Sequence, residues 1–306
     1  MTRTLRLATR GSPLALIQAR RVADMLISLS ERRGDPGACE IVVVRTRGDE
    51  QTGKPISEVG GEGVFVKEVQ QAVLSHEADL AVHSAKDLPS VTPEGLVLAC
   101  VPERADPRDA LIGARLEDLS PGATVATGSP RRRAQLAWLR PDLTFCELRG
   151  NISTRIEKAE SAGAGVMAAA ALERLGLADR IVQVLEPSEM LPQVGQGAIG
   201  VECRPQDVEL LELLSEMDDT SAHRAVAAER SWLAQLGGGC STPVAAYARP
   251  VAGDPGSLEL EGMMASGDGR IVLRRSRVGS DPLELGRSLA ADMFSRCGAS
   301  VLEEWV

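Results

Sequence analysis

Two widely separated stretches of the chain repeat one device. Ala8-Thr9-Arg10-Gly11-Ser12-Pro13 and Ala126-Thr127-Gly128-Ser129-Pro130-Arg131 each follow a β-rich run and each open a helical pattern. A serine N-cap with proline at the first helical position starts a helix abruptly. A strand feeding such a start is half of a βαβ unit, and the device recurs in what reads as a second domain. Each junction is also an anion site, because the first turn offers unpaired N–H groups at the positive end of the helix dipole. Arg10 adds full charge to the first junction, and Arg131, Arg132 and Arg133 crowd the first turn of the second. Cations there cost some tenths of a kcal/mol each. Three together therefore imply a bound anion that reverses the balance, with Arg133 expected to face solvent instead.

In chain order, strands are expected at residues 5–8, 41–46, 78–82 and 97–100, with helices over 13–31 and 64–74. Residues 47–63 form a long polar, glycine-containing loop, and the proline-bounded stretch 102–109 reads as a domain boundary. The second half is expected to place strands at 143–148 and 165–171, a helix after 149–155, and a short helix bearing Arg174. Gly195-Gln196-Gly197-Ala198-Ile199-Gly200 matches the dinucleotide-binding spacing, but no clear strand precedes it and a β-like run, not a helix, follows, so that reading is set aside. A strand at 201–203 returns to the first half, followed by a helix over 206–217. Beyond a helix at 220–236, strands at 244–249, 257–264 and 270–278 and a helix over 282–297 make a small α+β domain. The expected domains are 1–102 with 198–217, then 103–197, then 218–306.

Ser84, Lys86 and Asp87 fall just past the carboxyl end of the 78–82 strand, where open α/β sheets bind ligands. Arg10, Arg131, Arg132, Arg149, Arg155 and Arg174 all lie near strand–helix junctions. The chain as a whole is acidic, with 34 Lys and Arg against 43 Asp and Glu and a formal charge of −9. That balance and an aromatic content of only 2% argue against a nucleic-acid partner. An acidic protein with clustered arginines suits a small ligand bearing several carboxylates or phosphates. The six cysteines form no C-x-x-C pair and have no metal-ligand spacing with the three histidines, so neither a zinc site nor a disulfide framework is expected. The N-terminus lacks the apolar core of an export signal, and no run is long enough to cross a membrane, which places the protein in the cytoplasm.

The helix over 220–236 ends in Gly237-Gly238-Gly239-Cys240. Two readings fit that stretch alone: a glycine C-cap followed by a cysteine of no special role, or a loop thiol given room for chemistry.

Taken together, several motifs resemble the hydroxymethylbilane synthase, or porphobilinogen deaminase, family. They are A-T-R-x-S-P-L-A-L at the start, T-R-G-D at 46–49, A-V-H-S-x-K-D at 81–87, L-R-G-N at 148–151, V-G-Q-G-A at 194–198 and G-G-C at 238–240. They occur in order over nearly the whole chain. The resemblance implies an α/β fold of two periplasmic-binding-protein-like domains joined by a hinge, plus a small C-terminal α+β domain. It implies a cytoplasmic, monomeric transferase that condenses four porphobilinogen molecules head to tail with loss of ammonia, then releases the linear tetrapyrrole by hydrolysis. No metal, membrane or nucleic-acid partner is expected. The growing chain is carried on a dipyrromethane cofactor, and Cys240 is implied as its thioether anchor. Ser84, Lys86, Asp87, Ser129, Arg131, Arg132, Arg149, Gly150 and Arg155 are implied to bind the cofactor. Arg10, Ser12, Gln18, Arg149, Arg155 and Arg174 are implied to bind the substrate. Up to six rings carry about a dozen carboxylates, which accounts for so many bidentate arginines. Asp87 is the implied catalytic carboxylate, stabilising the charge that develops as ammonia leaves.

Two departures from the family pattern stand out. Glu62 stands where many members have lysine, and Gly163-Ala164-Gly165 replaces a usual acidic residue. Glu62 is expected to face solvent, since an inward carboxylate would repel the ligand. A non-catalytic anion-binding or effector-sensing module is the alternative, and it accounts for the arginines but not for Asp87 or Cys240.

Overall fold

The computed structural model describes residues 3–34, 37–46, 63, 65–237 and 242–298. The chain divides into two compact units, Met1–Ala105 with Ala198–His223, and Asp106–Gly197 with Arg224–Val306. The first begins with β1 (Thr4–Arg10), α1 (Pro13–Arg32), β2 (Ala38–Val44), α2 (Lys67–Leu74), β3 (Leu80–Ser84) and β4 (Val97–Cys100). The chain then runs through β5 (Asp109–Ile112), β6 (Thr124–Ala126), α3 (Pro130–Leu139), β7 (Thr144–Cys146), α4 (Ile152–Ala162), β8 (Gly163–Ala168), α5 (Ala169–Arg174) and β9 (Gln183–Leu185). It continues with β10 (Ile199–Cys203), α6 (Val208–Ser215), α7 (Thr220–Leu236), β11 (Val244–Val251), β12 (Asp254–Ala265), β13 (Val272–Gly279) and α8 (Pro282–Met293).

The strand-cap-helix device recurs in both units, and the two five-stranded sheets share one strand pattern. Their orders are β2-β1-β3-β10-β4 and β7-β6-β8-β5-β9. In each, three parallel strands are followed by one antiparallel strand that pairs on both sides. That antiparallel position is filled by the strand just after the chain changes unit, β5 on the outward passage and β10 on the return. Each sheet is thus complete only once the chain has entered that unit on its crossover. The third sheet, β11-β12-β13, is antiparallel and belongs to the second unit.

Helix α1 shows why these residues form these elements. Ser12 accepts a hydrogen bond from the Ala15 N–H and Pro13 occupies the first turn. Ala19, Val22, Ala23, Leu26 and Leu29 recur at helical spacing and pack with Leu5, Leu7, Leu80 and Val82 of the sheet. Ala81 and Ala8 face the other way, onto Val69 and Val73 of α2.

Three sequence expectations shift. Residues 169–171 are the start of helix α5, not the end of a strand, because an alanine run forms helix readily and periodicity cannot separate a short buried helix from a strand. The strand there begins earlier, at Gly163, directly from α4. Gly163 adopts φ +107°, and a Cβ on Gly165 would lie 2.4 Å from that of Ala159, so the glycines let helix and strand meet without a loop. The helix expected at 64–74 begins only at Lys67.

The C-terminal sheet packs on α7 and α8 around Trp232, which is fully buried. The two helices approach so closely that a Cβ on Gly286 would sit 2.6 Å from the Ala228 carbonyl oxygen, the Ser231 Cβ and the Trp232 nitrogen. Gly286→Ala is therefore expected to lower stability by about 1–3 kcal/mol through overpacking. Gly267→Ala, where a Cβ meets nothing within 4 Å, serves as the control and should change it little. Urea unfolding of the two variants checks this, and equal losses would contradict it.

Candidate active site

In the first unit, β1 and β3 are adjacent parallel strands whose carboxyl ends deliver the sequence-predicted residues. Arg10 ends β1, Ser84 ends β3, and a single 3-10 turn, Ala85–Asp87, carries Lys86 and Asp87. The turn is tied down by the Ala85 N–H donating to the Ala198 carbonyl at 3.0 Å. Ser84 Oγ donates to Gln18 Oε1 at 2.9 Å, while the Nε2 of Gln18, a buried residue of α1, has no partner. Arg10 Nη1 lies 3.8 Å from Asp87 Oδ2, with both side chains partly exposed, and its guanidinium stacks 4.2 Å over the Phe65 ring. Arg10, Ser12, Gln18, Ser84, Lys86 and Asp87 are thus brought to the strand ends of one sheet.

In the second unit, Ser129 caps α3 by accepting from the Arg132 N–H. Where the sequence predicts a bound anion, Arg131 and Arg132 meet a carboxylate of the chain itself, Asp109, the first residue of β5 and fully buried. Its Oδ2 lies 2.7 Å from Arg131 Nη1, and its Oδ1 lies 2.9 Å from Arg132 Nε and 3.0 Å from Gln196 Nε2. Burial pushes the Asp109 carboxyl up, but the Arg131 and Arg132 guanidinium groups more than offset that and hold it far below the usual range. Arg131 also donates to the Leu191 carbonyl, and Arg132 to that of Val166. Arg131 is therefore committed to the interior, and Arg132 is only 12% exposed. Arg133 faces solvent as expected, beside the Phe145 ring.

The remaining arginines are more open. Arg149 pairs with Glu147 at 3.2 Å, and Arg155 Nε donates to the carbonyl of Gly150, whose φ of +114° turns the chain into α4. Arg174, half-buried at the end of α5, donates to the Gly197 carbonyl at 2.7 Å.

Two residues of this arrangement escape a reading of the sequence, Asp109 and Glu229, and a third, Gln196, is singled out there only as part of a motif, without its partner. Asp109 sits inside what reads as a polar linker; the available signal is an aspartate opening the apolar run Ala110-Leu111-Ile112. Glu229, on α7 and fully buried, accepts from the Gly195 N–H at 2.7 Å and the Ala248 N–H at 2.9 Å. Helix α7 ends at Leu236, followed by Gly237 at φ +62°. Cys240, Glu62 and residues 47–62 as a whole lie outside the described residues. Of the other cysteines, burial pushes the thiols of Cys39 and Cys203 up to about 11 and that of Cys100 up to about 12, which makes them poor nucleophiles. Among the described residues no group of three His, Cys, Asp or Glu side chains is placed to hold a metal ion, and no helix is long and apolar enough to cross a membrane.

Asp109→Asn removes the one charge opposing two buried guanidinium groups and is expected to cost about 3–5 kcal/mol. Because the Asp109 carboxyl titrates below its unfolded value of about 3.9, its contribution is fully present above that pH and is lost only as the pH falls through the lowered folded value. The stability gap between parent and variant should then be constant from pH 8 to 5. Urea unfolding across that range checks it, and a gap closing between pH 7 and 5 would contradict the assignment.

Comparison with known proteins adds an independent observation. A family model described as porphobilinogen deaminase, dipyromethane cofactor binding domain, matches residues 5–212, and one described as porphobilinogen deaminase, C-terminal domain, matches residues 223–295. The chain is 43% identical over 309 residues to a porphobilinogen deaminase of Bacillus subtilis, covering 99% of this chain and 96% of that one. It is 46% identical over 309 residues to a porphobilinogen deaminase of a Roseiflexus species, covering 99% of each. Among solved structures, lipoprotein Tp32 of Treponema pallidum is similar with a TM-score of 0.44 and 11% identity, over 71% of this chain and 91% of that one.

Proposed function

The chain belongs to the porphobilinogen deaminase family, and we propose from that premise how its own residues divide the work. Its activity is that of a hydroxymethylbilane synthase, a transferase of tetrapyrrole and haem biosynthesis that uses a dipyrromethane cofactor. The reaction joins four porphobilinogen molecules head to tail with loss of ammonia and ends with hydrolytic release of the linear product.

The donor set of the second unit fits a group bearing many carboxylates. Two guanidinium groups share the single Asp109 carboxylate, leaving net positive charge at the start of α3, and the buried Arg131 Nε has no partner. Arg149 and Arg155, both partly exposed, add two more forks. In this reading Arg132, Arg149 and Arg155 take cofactor carboxylates, Ser129 and the Gly150 turn shape the rim, and Arg131 holds the pair in place from within. Cys240 is the thioether anchor, and Ser84, Lys86 and Asp87 are the cofactor residues of the first unit. The bound dipyrromethane supplies the free pyrrole α-carbon to which the first substrate unit is joined. Arg10, Ser12, Gln18 and Arg174, with Arg149 and Arg155, take the acetate and propionate of the incoming substrate.

Asp87 is the catalytic residue of this reading, and its placement carries it. A half-buried carboxylate stands at the end of β3 beside Arg10, yet 3.8 Å from that guanidinium, which is too long for a hydrogen bond. Its oxygens keep acceptor capacity for pyrrole N–H groups. A carboxylate so held stabilises the positive charge that develops on the substrate as the carbon–nitrogen bond breaks and ammonia departs. Arg10, steadied over Phe65, holds a substrate carboxylate while polarising the same site. The proposed partition is residues 1–102 with 198–217, residues 103–197, and residues 218–306, in a cytoplasmic monomer with porphobilinogen as its only partner.

Asp87→Asn removes charge at nearly constant shape. It is expected to lower kcat by about 10²–10³ while intact-protein mass still reports the covalent dipyrrole. Steady-state turnover within tenfold of the parent would place the catalytic group elsewhere. Cys240→Ala should fold and carry no dipyrrole by mass, and a dipyrrole retained on that variant would remove Cys240 as the anchor.

A further inference from the structure

The stretch Gly195-Gln196-Gly197, part of the V-G-Q-G-A motif and similar in spacing to a dinucleotide fingerprint, is given no binding or catalytic role above, yet it sits where the components of the second unit converge. Both glycines adopt positive φ, +70° and +84°, so the turn has a shape few other residues tolerate. Between them Gln196 is fully buried. Its Nε2 donates to Asp109 Oδ1 at 3.0 Å and to the Pro107 carbonyl at 2.7 Å. The Gly195 N–H donates to Glu229 of α7 at 2.7 Å. The Gly197 carbonyl accepts from Arg174 Nη2 at 2.7 Å. Three consecutive residues thus touch the carboxylate that orients Arg131 and Arg132, the helix that leads to Cys240, and Arg174.

We propose that this turn is the positioning element that holds Arg132, Arg174 and helix α7 in one register, with Gln196 acting through Asp109 as a positioning residue for the substrate's carboxylates. The proposal rests on the assignment of those arginines to carboxylate binding. Gln196 is not needed to balance charge, since Asp109 keeps both guanidinium partners without it. What its amide adds is a fixed distance between the Asp109 carboxylate and the turn. Losing that distance lets Arg132 and Arg174 shift independently, and a displacement of about 1 Å is enough to cost up to 10²-fold in a positioned site.

Because the arginines hold carboxylates in ground and transition states alike, their displacement acts on KM more than on kcat. Gln196→Asn, which keeps an amide but is one methylene too short to reach both acceptors, and Gln196→Leu, which removes the donor, are the test variants. Each is expected to raise KM for porphobilinogen about five- to twentyfold, with kcat within about threefold of the parent. Intact mass should still report the covalent dipyrrole, and amide hydrogen exchange, which needs no turnover, should show the Gly195 N–H less protected. Arg174→Lys should raise KM by itself, and combining it with Gln196→Asn should add less than the product of the two single effects, since both changes act through the same turn. Unchanged KM with unchanged Gly195 protection, a fall in kcat alone, or fully multiplicative effects would each overturn the proposal. A parent protein that carries the dipyrrole and turns over porphobilinogen secures the underlying assignment, so failure of the variants to respond falls on the turn alone; a parent that does neither removes both.

Discussion

The second unit depends on one buried carboxylate. Asp109 opens β5 in full burial and is grasped by two guanidinium groups from the first turn of α3 and by the amide of Gln196. Three arginines against the positive pole of a helix dipole are unfavourable by themselves. A charge at that depth is likewise unfavourable unless paired. Each solves the other's problem, and because two cations answer one anion, positive charge is left over at the rim. Arg131 is spent on the interior, so that Arg132 can be both oriented and still partly open. The sequence sets Arg133 apart as the solvent-facing arginine of this cluster; the fold further divides the other two into one that is buried and one held between interior and rim.

The two five-stranded sheets place their sites by the same rule. In each, parallel strands bring polar loops to their carboxyl ends, and the antiparallel strand comes from the crossover. The crossover strands therefore do more than connect. β5 carries Asp109 into the second sheet, and β10 pairs with β3 right up to Ser84, so the turn bearing Lys86 and Asp87 springs from a strand held on both sides. The Ala198 carbonyl, at the head of β10, fixes that turn through the Ala85 N–H. In the second unit the residues just before this return, Gly195 to Gly197, gather hydrogen bonds from α5, α7 and the Asp109 cluster. Function is concentrated where the chain changes unit because those are the points at which one short segment must satisfy several elements at once.

Much of this was legible in the residues. Strand 97–100 and helix 220–236 are where the pattern puts them, since a bounded apolar run and a long helical period leave little choice. The two Ser-Pro helix starts were equally legible, and both serines cap as expected. Other readings failed for identifiable reasons. The alanines at 169–171 suit helix and buried strand alike, and only the register of β8 against β5 and β6 ends the strand at Ala168. Gly163-Ala164-Gly165 reads as a missing acidic residue, but in the fold the glycines are needed sterically, for a helix-to-strand passage with no loop.

What the sequence determined by itself is what local chemistry controls: the caps, the α/β class, the arginine count at the junctions, and, through motifs in a fixed order, the family and its reaction. What only the tertiary structure decided is which polar groups answer one another. Asp109, Gln196 and Glu229 look like linker, loop and helix-surface residues in a linear reading, because nothing in their neighbours signals a partner. Asp109 meets residues more than twenty positions away and Gln196 reaches back 87, while Glu229 bonds a turn 34 positions earlier. Burial then converts those encounters into strong constraints, since a charge or amide withdrawn from water must be paired in the right geometry or destabilise the fold. Periodicity can report that a residue is buried, but the partner that makes its burial tolerable exists only once the chain has closed on itself.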